Sequence, residues 1–384
     1  MADLAQQITT AFEQEQRANR TATTRDELPL SFESMTPQWL TQVLCANQPK
    51  VNVTSFELGP VDSGSTNRRA VKLHYQPENL RGDLPVKVFC KATHALANRL
   101  LTGLFGATHA EVTFYNQIRP HLAIKSPHSY FAAYDSHSYN SMIMLEDIAA
   151  QVESFCSHRT LINRTRAESQ MALLANVHAP FYQSEALTTR FASLHSWPAY
   201  FANASRFNLQ AAAKRGFLAA HDVIPARLYR REEEIWPATL ACVEQHHRLP
   251  STITHNDVHL ANWYVLPNDV MGLSDWGCCS RGHWSRDLAY TIATALSVED
   301  RRLWEKDLIR YYLESMATLG ISDTSFDQAW DLYRQQLLSA LTWWTVPYSP
   351  EQDMPEGMQP RDTVKEFIHR ITTAIDDLDT LELW

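Results

Sequence analysis

The stretch His255-Asn-Asp-Val-His-Leu-Ala-Asn262 decides the fold, together with Met271-Gly-Leu-Ser-Asp-Trp-Gly277, which follows it after a turn. In the first stretch Asp257 and Asn262 have the spacing D-x-x-x-x-N, and Asp275 lies in the second. Short apolar runs on both sides of the turn predict a pair of hairpin strands. Such a hairpin would bring two carboxylates and one amide together.

These residue types suit the transfer of a phosphoryl group. The reaction needs a carboxylate that orients the attacking hydroxyl and accepts its proton, and it needs hard oxygen ligands for the magnesium that bridges the phosphates. We therefore predict that Asp257 is the catalytic residue and that Asn262 and Asp275 are the metal ligands. The amide of Asn262 would bind a metal without adding another negative charge beside an anionic polyphosphate.

Length and composition set broad limits. The 384 residues are too many for one core and fit two domains, and 45% apolar and 20% charged residues are typical of a folded protein. A net charge of −9 argues against a nucleic-acid-binding surface, which would need a basic stripe. No apolar stretch is long enough to span a bilayer, and Met1 to Arg17 lacks the features of a secretory signal. We therefore predict a cytoplasmic protein with no membrane or nucleic-acid partner.

The six cysteines are scattered and form no C-x-x-C pair. Neither a zinc ribbon nor a disulfide framework is therefore predicted. Cys278 and Cys279 are adjacent in the sequence, and neighbouring cysteines rarely bridge each other. We interpret them as packing thiols beside an active-site strand.

The first part of the chain has the pattern of a small antiparallel sheet with helices. Thr36 and Pro37 predict the start of a short helix. Helical spacing also covers Ala95 to Ile118, with breaks expected near Gly103 and Gly106. Alternating apolar and polar residues predict strands at Val51 to Leu58, Arg69 to Tyr75, Val86 to Ala92, Ser129 to Tyr134 and Ser141 to Leu145.

Beyond Glu146 the pattern is mostly helical, and the segment Ser251 to Ser280 is the main interruption. We therefore predict an α+β fold with an N-terminal lobe of residues 1–145 and a mainly helical C-terminal lobe of residues 146–384. Amphipathic spacing predicts helices at Arg159 to Val177, Leu228 to His246, Asp300 to Met316, Ser325 to Thr345 and Arg361 to Leu378.

The loop His255-Asn-Asp-Val-His-Leu-Ala-Asn262 resembles the HGD-x-H-x-x-N loop of the aminoglycoside phosphotransferase and choline kinase superfamily, most closely its ecdysteroid-kinase-like (CHK kinase-like) branch. Asp275-Trp-Gly and the later Arg281-Gly-His-Trp-Ser-Arg-Asp-Leu-Ala-Tyr290 resemble the family's D-W-x and G-x-x-x-x-D-L-A. The resemblance implies a two-lobed protein-kinase-like fold. It also implies supporting roles for His255, which would buttress the loop, and for Asp287, which would anchor the catalytic region. Asn256 stands where the family usually has glycine, and Gly277 and Cys278 follow the metal aspartate.

Pieces of the N-terminal lobe match the same family. Val88-Phe-Cys-Lys91 resembles the V-A-I-K strand, whose lysine binds the α- and β-phosphates, and Glu111 on the following helix resembles its ion-pair partner. Lys87 points to the same face of the strand and competes with Lys91 for this role. We prefer Lys91, since it matches the strand pattern.

Two further segments extend the resemblance to a nucleotide-binding lobe. The segment Asp62-Ser-Gly-Ser-Thr-Asn-Arg68 lies between two strands, where the phosphate-covering loop belongs, so Gly64, Ser65 and Thr66 are predicted to contact phosphate. Met142-Ile-Met-Leu-Glu-Asp-Ile148 resembles the lobe-connecting hinge, and the backbone at Glu146 and Ile148 would bind adenine. The resemblance covers about residues 50 to 345 and implies ATP and Mg²⁺ as cofactors.

The activity that the resemblance implies is transfer of the γ-phosphoryl group from ATP, bound in the cleft between the lobes, to a small-molecule alcohol. A protein substrate is less expected, because the H-R-D arginine and the D-F-G and A-P-E segments are absent. Trp343, Trp344 and Tyr348 either form an aromatic wall for the acceptor or pack in the core of the helical lobe.

Two other functions fit parts of the sequence. A kinase-like binding protein without catalytic activity would explain the few glycines of the phosphate-covering loop, although every charged group needed for transfer is present. A metal-dependent hydrolase could use His255, Asp257 and His259 as ligands, although no further ligand cluster accompanies them.

Overall fold

The computed structural model describes residues 2–350 and 359–384. The chain divides into two units: the first contains the residues up to Pro120 together with Pro127–Gln151, and the second contains His121–Ser126 together with the residues from Val152 onward. Sheet structure dominates the first unit and helices dominate the second, which confirms the predicted α+β fold class. Within the described ranges, no helix combines the length and the apolar character needed to span a membrane.

The first unit is built on an antiparallel sheet. Its strands are β1 (Asn52–Leu58), β2 (Asp62–Ser63), β3 (Asn67–Gln76), β4 (Lys87–Ala92), β5 (Ser129–Tyr134) and β6 (Ser141–Glu146), and its helices are α1 (Ala2–Ala18), α2 (Pro37–Leu44), α3 (Leu96–Phe105) and α4 (Ala107–Thr113). The strand order is β1-β3-β4-β6-β5, and β2 pairs with β3. This register places Lys91 of β4 between Arg68 of β3 and Ile143 of β6.

Local sequence explains where α2 begins and what it covers. The Thr36 hydroxyl accepts a hydrogen bond from the Trp39 N–H at 3.1 Å, and Pro37 occupies the first helical position, as predicted. Trp39 and Leu40 are fully buried and belong to one hydrophobic cluster with residues of the sheet. The sheet residues of this cluster include Val71, Val88, Phe131 and Met144.

The second unit is mainly helical. Its strands are β7 (Ser154–Phe155), β8 (Thr252–Thr254), β9 (Trp263–Leu266), β10 (Val270–Leu273) and β11 (Ser280–Gly282). Its helices are α5 (Arg164–His178), α6 (Trp197–Ser205), α7 (Leu209–Ala219), α8 (Ala226–Tyr229), α9 (Glu232–Gln245), α10 (Ser285–Ala295), α11 (Val298–Thr318), α12 (Phe326–Tyr348) and α13 (Arg361–Asp377). Strand β9 pairs with β7 and β10, and β8 pairs with β11.

Several helix predictions for the second unit are wrong in extent. The helix predicted from Arg159 begins at Arg164, because the side chain of Asn163 caps it by accepting from the Arg166 N–H. The segment predicted as one helix from Leu228 to His246 contains the end of α8 and the separate helix α9. Helices α6, α7 and α10 were not predicted. All residues of α10 are buried, including the polar residues Arg286 and Asp287.

His246 follows α9 and is buried in contacts that suit a neutral imidazole. Its Nδ1 accepts from the His283 N–H at 3.1 Å, and its Nε2 donates to Gln336 Oε1 at 3.0 Å. Burial lowers the pKa of His246 from 6.5 to about 4. His246 therefore takes up a proton near pH 6.5 in the unfolded chain, but only near pH 4 in the folded chain.

We predict that lowering the pH from 7 to 5 destabilises the second unit through His246. Because only the unfolded state binds the proton in this range, the free energy of unfolding should fall by about 2 kcal/mol. Urea unfolding at the two pH values measures the fall. In His246→Asn, which keeps an acceptor near the His283 N–H, the fall in the free energy of unfolding should be smaller by about 2 kcal/mol. The exposed neighbouring variant His247→Asn is the control, and an equal fall in the wild type and His246→Asn would contradict the prediction.

Candidate active site

Asp257 lies in the loop between β8 and β9, and polar groups surround its carboxylate. Asn262 Nδ2 lies 3.2 Å from Asp257 Oδ2, the Tyr290 hydroxyl 3.4 Å from Oδ1, and His259 Nε2 3.5 Å from Oδ2. The Asp257 side chain is nevertheless 32% exposed, so a molecule from solvent can reach it.

The protonation states of this group suit a hydrogen-bond acceptor. Burial raises the pKa of Asp257, but the charge and hydrogen bond of His259 outweigh burial and hold this pKa below its usual value. Burial and the charge of Asp257 raise the pKa of Tyr290 well above its usual value. Asp257 is therefore a carboxylate at neutral pH, and Tyr290 is a neutral hydroxyl that donates to it.

Asn262 and Asp275 are held together by the hairpin β9–β10 and the residue that follows it. The backbone N–H and the hydroxyl of Ser274 both donate to the Asn262 carbonyl at 3.0 Å, and Asp275 is the next residue. Gly272 of β10 pairs with Tyr264 of β9, and a Cβ at Gly272 would lie 2.2 Å from the tyrosine ring. The close packing of this hairpin therefore requires glycine at that position.

The side-chain amide of Asn262 is oriented by the catalytic loop. Its Nδ2 donates to the Asp257 carbonyl at 2.7 Å as well as to the Asp257 carboxylate. Because the amide is planar, its Oδ1 points away from these acceptors. Asp275 adds a carboxylate, with its backbone in the left-handed region at φ 66°. An amide oxygen and a carboxylate are the kinds of ligand that Mg²⁺ prefers, so these two residues fit a magnesium site.

His255 uses both ring nitrogens within the loop. Its Nδ1 accepts from the Asp257 N–H at 3.2 Å, so its Nε2 carries the proton and donates to the Ser274 carbonyl at 3.0 Å. Burial lowers the pKa of His255, which agrees with this neutral form. Neither nitrogen is left to bind a metal, and the described ranges contain no group of three or more His, Cys, Asp and Glu side chains placed to hold one. The arrangement disfavours the hydrolase hypothesis.

Asp287 lies at the start of α10 and is fully buried. Its carboxylate accepts the backbone N–H of His255 at 2.7 Å and that of Asn256 at 2.8 Å. His178 Nε2 lies 3.2 Å from the same carboxylate. Burial raises the pKa of Asp287, but the hydrogen bond and charge of His178 and the contacts with His255 bring it below its usual value. Asp287 thus fixes two successive peptide groups just before Asp257.

Three residues that support this loop had no predicted role: Asn256, Ser274 and Tyr290. Asn256 is in the left-handed region at φ 65°, a conformation that asparagine tolerates better than most residues. Tyr290 donates to Asp257, and Ser274 links the two predicted metal ligands. The only sequence signal was that Tyr290 ends the D-L-A-Y segment and that Asn256 replaces the usual glycine.

Within the first unit, Lys91 and Glu111 form a buried ion pair. Lys91 Nζ lies 2.6 Å from Glu111 Oε1, and their side chains are 8% and 6% exposed. Glu111 belongs to α4, which begins after the predicted break at Gly106, where φ is 78°. Lys87, the competing lysine on β4, is 51% exposed and pairs instead with Asp147 at 2.7 Å.

The predicted phosphate-covering loop joins β2 to β3. Asn98 Nδ2 donates to the carbonyls of Gly64 and Ser65, both at 2.8 Å. In a trans peptide the N–H points opposite to the carbonyl, so the N–H groups of Ser65 and Thr66 point away from Asn98. Gly64 and Ser65 are exposed. The loop therefore presents backbone donors, which suit a phosphate.

The predicted adenine-binding backbone follows β6. The Glu146 N–H donates to the His128 carbonyl, and the Ile148 carbonyl accepts from the Gln151 N–H, both at 2.8 Å. Among the described residues, the Ile148 N–H has no hydrogen-bond acceptor. It can therefore donate to a ligand.

The three aromatic residues near the end of α12 do not form one wall. Trp344 and Tyr348 are buried, and Trp344 packs against His259 and Phe367. Trp343 is partly exposed and contacts the rings of α6, including Tyr200. Trp344 and Tyr348 therefore belong to the core, whereas Trp343 and Tyr200 are partly exposed.

Comparison with known proteins adds the following. A model of the phosphotransferase enzyme family (APH) matches residues 104–321, which is more than half of the chain. An aminoglycoside phosphotransferase of Streptomyces rimosus is 16% identical, with 79% of this chain and 97% of that chain covered and a TM-score of 0.40. An ethanolamine kinase of Plasmodium vivax is 11% identical, with 85% of this chain and 82% of that chain covered and a TM-score of 0.46. A macrolide 2′-phosphotransferase of Brachybacterium faecium is 15% identical, with 82% of this chain and 100% of that chain covered and a TM-score of 0.44. No curated protein matches the sequence.

We predict that Asp287→Asn destabilises the second unit by about 2–4 kcal/mol, because an amide cannot accept both backbone N–H groups and the buried ionic contacts are lost. Urea unfolding measures the loss. The folded pKa of Asp287 lies below the unfolded value, so its contribution is complete above about pH 4 and disappears as the pH falls through the folded pKa. The control is Asp331→Asn, which removes an exposed carboxylate that pairs with Arg334. Its free energy of unfolding should lie within about 0.5 kcal/mol of the wild-type value. A similarly small effect of Asp287→Asn at pH 7 would show that Asp287 is not the anchor.

Proposed function

We propose that this chain, which belongs to the phosphotransferase enzyme family, transfers the γ-phosphoryl group of ATP to a hydroxyl group of a small molecule in a magnesium-dependent reaction. The observation that carries this proposal is the hydrogen-bonded arrangement of Asp257, Asn262 and Asp275. Asn262 donates to the Asp257 carboxylate, and Ser274, next to Asp275, donates twice to Asn262. Asp257 is thereby available to the hydroxyl, and Asn262 and Asp275 are available to the metal.

Asp257 is the group that receives the attacking hydroxyl. Its carboxylate is ionised at neutral pH and is partly exposed, so an alcohol can donate a hydrogen bond to it. As the oxygen of the alcohol attacks the γ-phosphorus, the hydroxyl proton passes to Asp257. Asn262 and Tyr290 hold the carboxylate in place during this step.

Asn262 Oδ1 and the Asp275 carboxylate are the proposed ligands of magnesium. When bound, the ion would neutralise part of the charge of the phosphates. The donations from Asn262 Nδ2 to Asp257 tie the position of the metal ligand to that of the catalytic carboxylate. Hydroxyl and phosphate are thus oriented by one connected set of residues.

The nucleotide-binding residues of the first unit complete the proposal. Lys91, oriented by Glu111, would bind the α- and β-phosphates, and the backbone N–H groups of Ser65 and Thr66 next to Gly64 would cover them. The backbone at Glu146 and Ile148 would bind adenine, with the Ile148 N–H as donor. The buried pairing of Lys91 with Glu111 favours Lys91 over Lys87, which is exposed and pairs with Asp147.

The acceptor is proposed to be a small-molecule alcohol, because the segment from Asp275 to Asp287 is too short for the activation loop that positions a peptide. The assignment to the ecdysteroid-kinase-like branch rests on the motifs of the catalytic loop and stays a prediction. The cytoplasmic location also stays a prediction.

The first prediction of this proposal concerns nucleotide binding. ATP with Mg²⁺ should raise the melting temperature by several degrees, since a ligand at about 100 times its Kd stabilises a protein by about 3 kcal/mol. Thermal unfolding with ATP, with and without Mg²⁺, measures the shift. Asp275→Ala and Lys91→Ala should lose most of it.

The matched control is Lys87→Ala, which removes a lysine from the same face of β4 and should keep the full shift. An absence of any shift at millimolar ATP in the wild type would contradict the phosphotransferase proposal. Activity without ATP in a protein that retains a tightly bound transition metal would instead support the hydrolase.

The second prediction concerns transfer. In a screen of alcohols that measures ADP formation, Asp257→Asn should bind ATP and Mg²⁺ like the wild type but lose transfer by roughly 10³-fold, because the hydroxyl loses the group that orients it and takes its proton. Equal rates in the two proteins would contradict the role of Asp257. Nucleotide binding without transfer to any alcohol in the wild type would favour a kinase-like binding protein.

A further inference from the structure

Arg286, the second residue of α10, is a buried cation directly beneath the catalytic loop. Its side chain is fully buried, and among the described residues no carboxylate forms an ion pair with it. A buried charge is costly unless it is hydrogen-bonded, and each of the three guanidinium nitrogens donates to an acceptor. The position of this guanidinium is therefore narrowly defined.

The acceptors of Arg286 belong mainly to one residue. Its Nε donates to Asn256 Oδ1 at 3.1 Å, its Nη2 donates to the Asn256 carbonyl at 3.0 Å, and its Nη1 donates to Ser339 Oγ at 2.6 Å. The guanidinium also lies 3.6 Å from the centre of the Trp197 ring, a favourable contact for a cation. Arg286 thus binds both the side chain and the main chain of Asn256.

Asn256 is the residue whose backbone aims Asp257. Its φ of 65° is in the left-handed region, which is unfavourable for a residue with a side chain. Its Nδ2 donates to Thr254 Oγ1 at 2.8 Å and to Ser280 Oγ at 2.7 Å. With Arg286 on Oδ1, both ends of the amide are fixed, so the side chain itself holds the unusual backbone.

The peptide group that joins Asn256 to Asp257 is fixed on both sides. Arg286 donates to its carbonyl oxygen, and its N–H donates to His255 Nδ1 at 3.2 Å. The plane of this peptide sets the direction in which the Asp257 side chain leaves the backbone. A rotation of the plane would move the carboxylate away from Asn262.

We propose that Arg286 is a positioning residue for Asp257: it holds the Asn256–Asp257 peptide in the orientation that directs the carboxylate to the hydroxyl. The inference rests on the proposed function for its kinetic consequence, but its structural consequence is independent of that function. Asn256 replaces the glycine that would adopt this backbone without support, and Arg286 supplies the support that asparagine needs.

The kinetic experiment uses release of phosphate from ATP with Mg²⁺, in which water takes the place of the alcohol. Arg286→Met should lower kcat by about 10–100-fold, since a small misplacement of a reacting group has effects of this size. The KM for ATP should stay within about twofold of the wild type, because Asn262, Asp275 and Lys91 keep their contacts. Asn256→Gly added to Arg286→Met should recover at least about fivefold of the loss, since glycine adopts φ 65° without a supporting side chain.

The structural experiment is hydrogen exchange of the peptide that covers residues 252–262, read by mass spectrometry. In Arg286→Met the Asp257 amide should exchange at least about tenfold faster, because its hydrogen bond to His255 is no longer fixed. The double variant with Asn256→Gly should return toward the wild-type rate. If Arg286→Met fails to fold, Arg286→Lys is used, which keeps the charge but cannot donate to both oxygens of Asn256.

The matched control is Arg301→Met in α11, which removes another buried arginine, one that pairs with Glu305. It should lower stability and leave kcat, KM and exchange of the 252–262 peptide unchanged. Unchanged exchange at Asp257 in Arg286→Met, or no recovery in the double variant, would overturn the proposal. If the wild type releases no phosphate to water, the exchange experiment alone decides whether Arg286 positions Asp257, and the proposed function is judged separately by ATP binding and transfer to an alcohol.

Discussion

The carboxylate of Asp287 is the contact on which the catalytic loop depends. It accepts the N–H groups of His255 and Asn256, two successive peptides that would otherwise be buried without partners. A carboxylate in a fully buried position would itself be unfavourable without such donors. The loop and its anchor therefore require each other, and the position of Asp257 follows from both.

Three other buried side chains also hold the loop around Asp257: His255, Arg286 and Tyr290. His255 bridges from the Asp257 N–H to the Ser274 carbonyl, and so links Asp257 to the strand end that carries Asp275. Arg286 holds the peptide before Asp257, and Tyr290 of the same helix donates to the carboxylate. Helix α10 thus supplies the anchor, the support and a donor within two turns. A site built on one rigid element in this way can hold its acceptor groups to the tolerance that transfer demands.

The contact between Asp257 and Asn262 could be predicted because their spacing along the chain is short. Asp257 and Asn262 lie within one loop, and Asp275 follows on the next strand, so the hairpin prediction alone brought them together. The Lys91–Glu111 ion pair was predicted from the resemblance of Val88-Phe-Cys-Lys91 to the V-A-I-K strand, and the structure contains it. By contrast, the contact between Arg286 and Asn256 joins residues thirty positions apart, and only the tertiary fold brings them together. In helix α10 the tertiary fold buries even the polar residues, and the cap at Asn163 overrode the helical pattern that began at Arg159.

The most direct test of the account is a crystal structure with Mg²⁺ and a non-hydrolysable ATP analogue. The account predicts magnesium at about 2.0–2.1 Å from Asn262 Oδ1 and from an oxygen of Asp275, with the γ-phosphate facing Asp257 and Lys91 Nζ on the α- and β-phosphates. A metal bound without Asn262 and Asp275, or a nucleotide bound away from Asp257, would contradict it.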